Sequence, residues 1–280
     1  MKWVVPQTGK LVGFLQSVLD GEPSGKLVRR LLEANLCRVN GRIERFGSVD
    51  VERGDAVELS SAWKSILTPN LSRFETLLET DDFLIVDKPE GWVCNDESCK
   101  REFGVGKYLV HRLDKDTTGL LLIAKGSRAR DELMELFLKR LVEKEYLALA
   151  DGIPKRSDGT IENFLAKKKM IEGQTIWGSS GRGLEAVTRW NVEAVGKQAS
   201  LIRCRPLTGR THQIRVHLAE MGHPILIDRQ YASQYRSKMH AKRPLLHATK
   251  IQFDFRGEKI EASSNLRADM REALQFEGIG

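Results

Sequence analysis

Apolar residues recur at helical spacing twice near the start of the chain. They fall first at Leu11, Phe14, Leu15, Val18 and Leu19, then at Leu27, Val28, Leu31 and Leu32, with Arg29 and Arg30 on the opposite side. Two short extended pieces follow, Cys37 to Asn40 and Ala56 to Leu59, set around the turn formers Asn40-Gly41 and Gly54-Asp55. This pattern predicts a small unit over residues 1–60. Ser60, Ser61, Pro69, Asn70 and Ser72 then break any periodicity, so 61–73 reads as a linker, with Trp63 a docking residue inside it.

A larger domain is expected over 74–280. Phe83 to Val86 reads as a strand ending at Lys88-Pro89 and a Gly91 turn, and Leu120 to Ala124 is an apolar run too short for a helix, hence a buried strand. Ala129, Leu133, Leu136, Phe137 and Leu141 form one helical stripe, with Ser127 as its cap and Asp131 and Glu132 near its positive end. VEKEYLALAD is a strand in which Tyr146, Ala148 and Ala150 share a face. Gly178 to Gly183 lacks the Gly-Lys-Ser/Thr ending and following helix of a phosphate loop, and LEAVTRWNVEAV after it is extended, so a hairpin or mobile loop is expected. Leu201 to Arg205 is a strand, Thr211 to Met221 a helix stopped by Gly222, and Leu266 to Phe276 a terminal helix.

Two polar stretches carry candidate chemistry. His111 to Gly119 packs Arg112, Asp114, Lys115, Asp116 and a Thr pair directly before the buried run, which sets a carboxylate at the mouth of a rigid strand. Asp114 and Asp116 read equally well as turn formers. On the helix from Thr211, His212 and Arg215 are neighbours three apart, whereas His212 and His217 are five apart and make a poor metal pair; a basic surface helix is the alternative. A lone strand tyrosine such as Tyr146 is ordinarily a core residue.

Charge adds a partner class. The chain of 280 residues carries a formal charge of +7, which favours a polyanion. Leu201 to Lys250 holds ten Lys or Arg against only Glu220 and Asp228, and Ser24 to Arg45 holds six against Glu33 and Glu44, giving two places where a phosphate backbone can lie. Cys37, Cys94, Cys99 and Cys204 are scattered without metal-site spacing, and free thiols in a reducing cytosol are expected. MKWVVPQTGK has no signal-peptide core and no apolar run reaches membrane length, so a cytoplasmic location is expected; the chain is separately expected to be a monomer.

The string HRLDKDTTGLLLIAK, His111 to Lys125, resembles the signature of the RluA family of pseudouridine synthases: HRLD, two variable residues, Thr, Ser or Thr, Gly, aliphatics, Ala and Lys. TGRTHQIRVHLA, then GHPI, then Asp228 and Tyr231, resembles the family's second hallmark, with Ile227 standing where Gly usually precedes the Asp and expected to alter the following loop. The segment opening with Asp81-Asp82, a strand, Lys88-Pro89 and Gly91 is similar to the family's start, and Cys94-Asn95-Asp96 departs from the usual continuation. RPLLHATKIQF resembles its closing strand. Separately, ANLCRVNGRIERFGSVDVERGDAVEL resembles the S-four-type RNA-binding domain, with its V-N-G turn and later G-D.

The resemblance implies an α+β catalytic domain on a mixed, largely antiparallel sheet, plus a small α/β S-four-type domain. It implies isomerisation of uridine to pseudouridine in structured RNA, ribosomal RNA before transfer RNA, with Asp114 as catalytic aspartate, Arg215 pairing with it and Tyr146 as active-site tyrosine. Arg112, Arg210 and His212 would contact RNA, as would Lys26, Arg29, Arg30, Arg38 and Arg42 of the small domain. Atoms and oxidation state are conserved in this reaction, so no metal, nucleotide or redox cofactor is expected. Whether Asp114 attacks the sugar, stabilises its charge or removes a ribose proton stays open. The competing classes are a non-catalytic RNA-binding protein that retains the fold and a metal-dependent nuclease or deaminase, the latter lacking a His/Cys ligand set here.

Overall fold

The computed structural model describes the chain except residues 20–22, 24, 34–35, 61–73, 172–173 and 280, and except the side chains at 26, 27, 30, 171 and 174. The expected linker with Trp63, and the side chains of Lys26 and Arg30, lie outside the described residues. Two compact units are present, Met1–Arg73 and Phe74–Gly280.

The smaller unit runs β1 (Lys2–Val4), β2 (Gly9–Lys10), α1 (Leu11–Val18), α2 (Gly25–Glu33), β3 (Cys37–Val39), β4 (Arg42–Ile43), β5 (Asp50–Val51) and β6 (Ala56–Leu59). Its main sheet has the order β1-β6-β3-β4, and Leu11, Leu15, Val28, Leu31 and Leu32 from the helices pack on it with Cys37, Val57 and Leu59. Asn40 and Gly41 both adopt positive φ in the β3–β4 turn, the conformation a two-residue hairpin needs. The Asn40 side chain accepts from Ala56 N at 2.9 Å and donates to Asp55 Oδ1 at 2.8 Å. These two bonds tie the V-N-G turn to the G-D turn.

In the larger unit the elements are β7 (Glu75–Glu79), β8 (Phe83–Lys88), α3 (Asp96–Phe103), β9 (Lys107–Leu109), β10 (Thr118–Lys125), α4 (Ser127–Leu138), β11 (Glu143–Asp151), β12 (Asp158–Ile171), β13 (Gln174–Ser180), β14 (Leu184–Val195), β15 (Ala199–Pro206), α5 (Gln213–Glu220), β16 (Leu246–Phe255), β17 (Glu258–Ser263) and α6 (Ala268–Glu277). They build an 11-stranded sheet in the order β13-β12-β14-β15-β11-β16-β10-β8-β7, with β17 on β16 and β9 on β10. Every pairing is antiparallel except β10 with β16. The sheet is therefore mixed and largely antiparallel. β10 lacks a polar face because Leu121 and Ile123 enter one core with Ile214 and Leu218, while Leu120 and Leu122 enter the other with Ala129 and Leu133 of α4.

Several local expectations are corrected. Ser127 is the first residue of α4 and makes no capping bond; Gly126 precedes it, and Glu132 instead binds Arg128 and Arg256. α5 begins at Gln213 rather than Thr211, because His212 is left-handed at φ 57°. Asn95, in the stretch that departs from the family pattern, caps α3 by accepting from Ser98 N. The segment 178–183 is neither a hairpin turn nor a free loop: Gly178 to Ser180 end β13, and the next residues carry the chain across β12 to its other edge. A Cβ at Gly183 would lie 2.4 Å from Leu165 O, so only glycine fits that crossing.

Gly119 has the strictest requirement. In the parallel β10–β16 pair it faces Ala248, φ is 106°, and a Cβ would stand 2.1 Å from the Ala248 carbonyl oxygen. Gly119→Ala should cost at least about 3 kcal/mol or abolish folding, whereas Gly181→Ala, whose Cβ meets nothing within 4 Å, should cost under about 1 kcal/mol. Urea denaturation of both variants checks the contrast.

Candidate active site

A cavity of ≈ 460 Å³ is lined by Arg112, Asp114, Tyr146, Arg210, His212 and Arg215, with Phe137 and Leu246 among its apolar walls. The sequence-predicted residues of the larger unit are thus brought together from three places: the loop before β10, strand β11 and the start of α5.

The loop that carries Asp114 is held from beneath by Lys88, at the end of β8. Lys88 is fully buried, and its Nζ donates at 2.9 Å to each of three carbonyls, Pro89 O, Lys115 O and Thr117 O. An ammonium has three donors and no acceptor, so this arrangement satisfies it completely while pinning the turn on both sides of Asp116. Burial lowers its pKa to about 8, with Cys94 and Asp116 opposing the shift. Thr117 N also donates to Asp114 O, closing the turn.

Tyr146 sits on β11 between β15 and β16. The ladder to β16 slips between Glu145 and Tyr146, so that Tyr146 faces Ala248, the residue that also faces Gly119. A bulge of this kind re-aims a side chain. Burial, and then the nearby Asp114, push the Tyr146 phenol above its ordinary range, and it is neutral at physiological pH.

Arg215 is the hub. Its Nε and Nη2 grip Asp228 Oδ2 and Oδ1 at 2.7 Å each, Nη2 also donates to Gln230 Oε1 at 2.7 Å, and Nη1 reaches Asp114 Oδ2 at 3.4 Å. The expected pairing with Asp114 is the longer one, and Asp228 is the principal counterion. The Arg215 guanidinium also lies over the Tyr231 ring at 5.0 Å. Burial works against its charge, but Asp228 and then Asp114 more than offset this and raise its pKa.

His212 places Nδ1 2.7 Å from Tyr231 Oη and Nε2 3.9 Å from Asp114 Oδ1. Burial lowers its pKa, so it is neutral and braces Tyr231 beside the carboxylate instead of standing as a surface cation. Burial likewise raises the Tyr231 phenol to about 12. Arg112 is exposed at the cavity, and Arg210 lines it with its Nε bonded to Glu185 O. In the small unit Arg29, Arg38 and Arg42 are exposed.

Sequence reasoning passed over Lys88, Asp228, Gln230 and Gln213. Buried Gln213 accepts from Thr208 Oγ1 and Arg210 N and donates to Val187 O and Thr188 Oγ1, fixing the TGRTHQ turn. The available signal was polar residues inside apolar surroundings, the Lys-Pro after β8 above all. Ile227, the departure from the expected Gly, adopts φ 66°, in the left-handed region that a β-branched residue enters only under strain.

A carboxylate beside a fixed guanidinium and a neutral phenol, in a cavity lined by cations such as Arg112 and Arg210, suits chemistry on an anion-bearing substrate with proton transfer. The family described as RNA pseudouridylate synthase matches residues 82–220. Ribosomal large subunit pseudouridine synthase C of Haemophilus influenzae is 32% identical over 293 residues, covering 95% of this chain and 90% of that protein. The protein of the same name from Salmonella typhi is 33% identical over 275 residues, covering 89% and 86%. Among solved structures, Human RNA Pseudouridylate Synthase Domain Containing 1 aligns with a TM-score of 0.59 at 28% identity over 69% of this chain and 84% of that one. Human RNA Pseudouridylate Synthase Domain Containing 4 aligns at 0.61 and 24% over 72% and 92%, which supports the fold. The chain belongs to the RluA family of RNA pseudouridine synthases. It is an enzyme that isomerises uridine in RNA to pseudouridine. No helix among the described residues is long and apolar enough to cross a membrane.

Two outcomes follow from the packing. Asp228→Ala leaves a buried guanidinium with the neutral Gln230 amide and, as its one remaining carboxylate, the longer contact to Asp114, and should destabilise by about 3–5 kcal/mol in urea denaturation. For Lys88 the folded pKa of about 8 lies below the unfolded 10.5, so the folded state carries a charge penalty below pH 8 that lifts as pH rises to 10.5. Stability of the wild type relative to Lys88→Met should therefore rise over that window; a pH-independent difference would show that this ammonium is not under strain.

Proposed function

We propose that this enzyme modifies large-subunit ribosomal RNA, with Asp114 as the catalytic carboxylate, Arg215 orienting it and Tyr146 stacking on the uracil. The observation that carries the reading is the sharing of one guanidinium: Arg215 is committed to Asp228 through two bonds, and its remaining nitrogen points to Asp114 in the cavity that Tyr146 also lines. A fixed guanidinium beside a carboxylate holds it in one orientation. In the reaction the bond from uracil N1 to the ribose breaks, the base turns while held, carbon 5 bonds to the ribose and gives up its proton, and N1 gains one. Tyr146 offers a face for the detached ring and a neutral hydroxyl for proton exchange. The choice of ribosomal RNA rests on the names of the similar bacterial proteins.

The target uridine leaves its stack to enter the cavity, at a cost of a few kcal/mol, and Arg112 and Arg210 at the cavity are placed to hold the flanking backbone. Residues 1–60 form an S-four-type RNA-binding domain joined through 61–73 to the catalytic domain 74–280; the support is the Asn40 tie between its two motif turns and the exposure of Arg29, Arg38 and Arg42.

Asp114→Asn should reduce conversion of unmodified large-subunit ribosomal RNA by at least about 10⁴-fold while RNA binding persists, read by chemical labelling of pseudouridine. Retained turnover removes Asp114 from the mechanism. Arg215→Met should lower kcat with the fold intact by circular dichroism. Tyr146→Phe should keep KM and lower kcat, whereas Tyr146→Ala should worsen both. A wild type inactive on ribosomal RNA but active on transfer RNA would refute the substrate assignment alone.

A further inference from the structure

The basic stretch 201–250 is mostly neutralised within the fold. Arg203 and Arg205 bind Glu145, Arg203 also binds Glu193, Arg215 binds Asp228, Arg236 binds Asp151, Arg243 binds Asp269 and Lys250 binds Glu261. Six of its ten cations are thus paired, and most of its charge density in the sequence is offset within the fold. Elsewhere the reverse holds. Lys167, Lys168 and Lys169 on β12 are all exposed, and among the described residues none has a carboxylate partner. The β12–β13 ladder slips between Lys167 and Lys169, so the usual alternation of faces is broken there and three successive lysines reach solvent.

This hairpin is also tied to the candidate active site. Lys167 and Met170 pair across the ladder with Trp177 and Thr175. Trp177 N donates to Tyr231 Oη, and Thr175 O accepts from Gln230 Nε2. Gln230 Oε1 in turn receives Arg215 Nη2, and Tyr231 Oη meets His212 Nδ1. A second attachment joins Glu220, at the end of α5, to Ser179 N and Asn163 Nδ2. The lysines thus stand one strand away from the residues that position Arg215, on an element fastened at both β12 and β13.

We propose that the β12–β13 hairpin is an RNA-backbone docking arm, with Lys167, Lys168 and Lys169 receiving successive phosphates of the strand that flanks the target uridine. The occupant is RNA because the three lysines form no ion pair among the described residues and belong to an enzyme whose substrate is a polyanion. Trp177, beneath Lys167 at 6.0 Å, gives the first lysine a fixed seat. The proposal rests on the ribosomal RNA reading for its choice of substrate, though not for its electrostatics.

The test uses the full chain and unmodified transcribed large-subunit ribosomal RNA. A Lys167→Gln, Lys168→Gln, Lys169→Gln triple variant should lower the slope of log affinity against log salt by about 2 to 3. It should raise KM at least about fivefold, by more than it lowers kcat. A triple Lys→Arg variant at the same positions should restore both values. Lys100→Gln, Lys155→Gln, Lys259→Gln, which removes the same charge elsewhere, should change the slope far less. An equal slope change in hairpin and control variants, or no change in either, overturns the proposal. Should the wild type bind but not convert this RNA, the substrate reading fails while the slope comparison still decides the hairpin's role.

Discussion

A buried guanidinium shared between two carboxylates is the interaction on which the site depends. Arg215 could not be carried inside the protein without Asp228, because an unpaired buried charge costs several kcal/mol. The bidentate grip also fixes the plane of the guanidinium. Once Asp228 and Gln230 have taken Nε and Nη2, the direction of Nη1 is no longer free, and it is Nη1 that meets Asp114. The longer 3.4 Å contact leaves Asp114 partly open to the cavity, as its proposed catalytic role requires. Two tight contacts stabilise the arginine, and the loose one orients the acid.

The sheet supplies the convergence. Asp114 precedes β10 and Tyr146 lies on β11, and these strands are not adjacent; β16 stands between them and pairs with each. Ala248 of β16 faces Gly119 on one side and Tyr146 on the other. The parallel contact at Gly119 therefore sets the spacing between the acid's loop and the tyrosine's strand, and the absence of a side chain at Gly119 is what lets that contact close. Lys88 then holds the loop itself, converting three carbonyls of an irregular turn into a rigid support.

Much of this was legible in the residues. The family resemblance of local strings pointed to Asp114, Tyr146 and Arg215, which line one cavity, and the buried strand after HRLD was read from its length and apolarity. What could not be read was the partner chosen by a buried polar group. Local spacing relates residues three or four apart, whereas Arg215 to Asp228, Lys88 to Thr117 and Trp177 to Tyr231 are tertiary choices made by the whole sheet. Helix starts failed for a related reason: Ser127 has capping chemistry and Thr211 stands at a plausible boundary, yet Gly126 and a left-handed His212 set the actual entries. At Ile227 the departure from the family pattern marked a special backbone position, and the residue does adopt a left-handed φ of 66° against its own preference.

Charge is where counting along the chain misleads most. A run of cations in sequence is a surface field only if no carboxylate folds onto it, and strands β11, β14 and β17 bring Glu145, Glu193 and Glu261 onto the arginines and lysine of β15 and β16. Those pairs are worth little individually as stability, since most are half-exposed. Their consequence is electrostatic silence over that part of the sheet. On the proposed reading, an RNA approaching this unit would be guided by cations without a carboxylate partner, Arg112 and Arg210 at the cavity and the lysines of β12, and not by the paired majority of the segment richest in them. Pairing thus does for the surface what Asp228 does for Arg215: it removes most of the charge from play and leaves a few groups directed at the substrate.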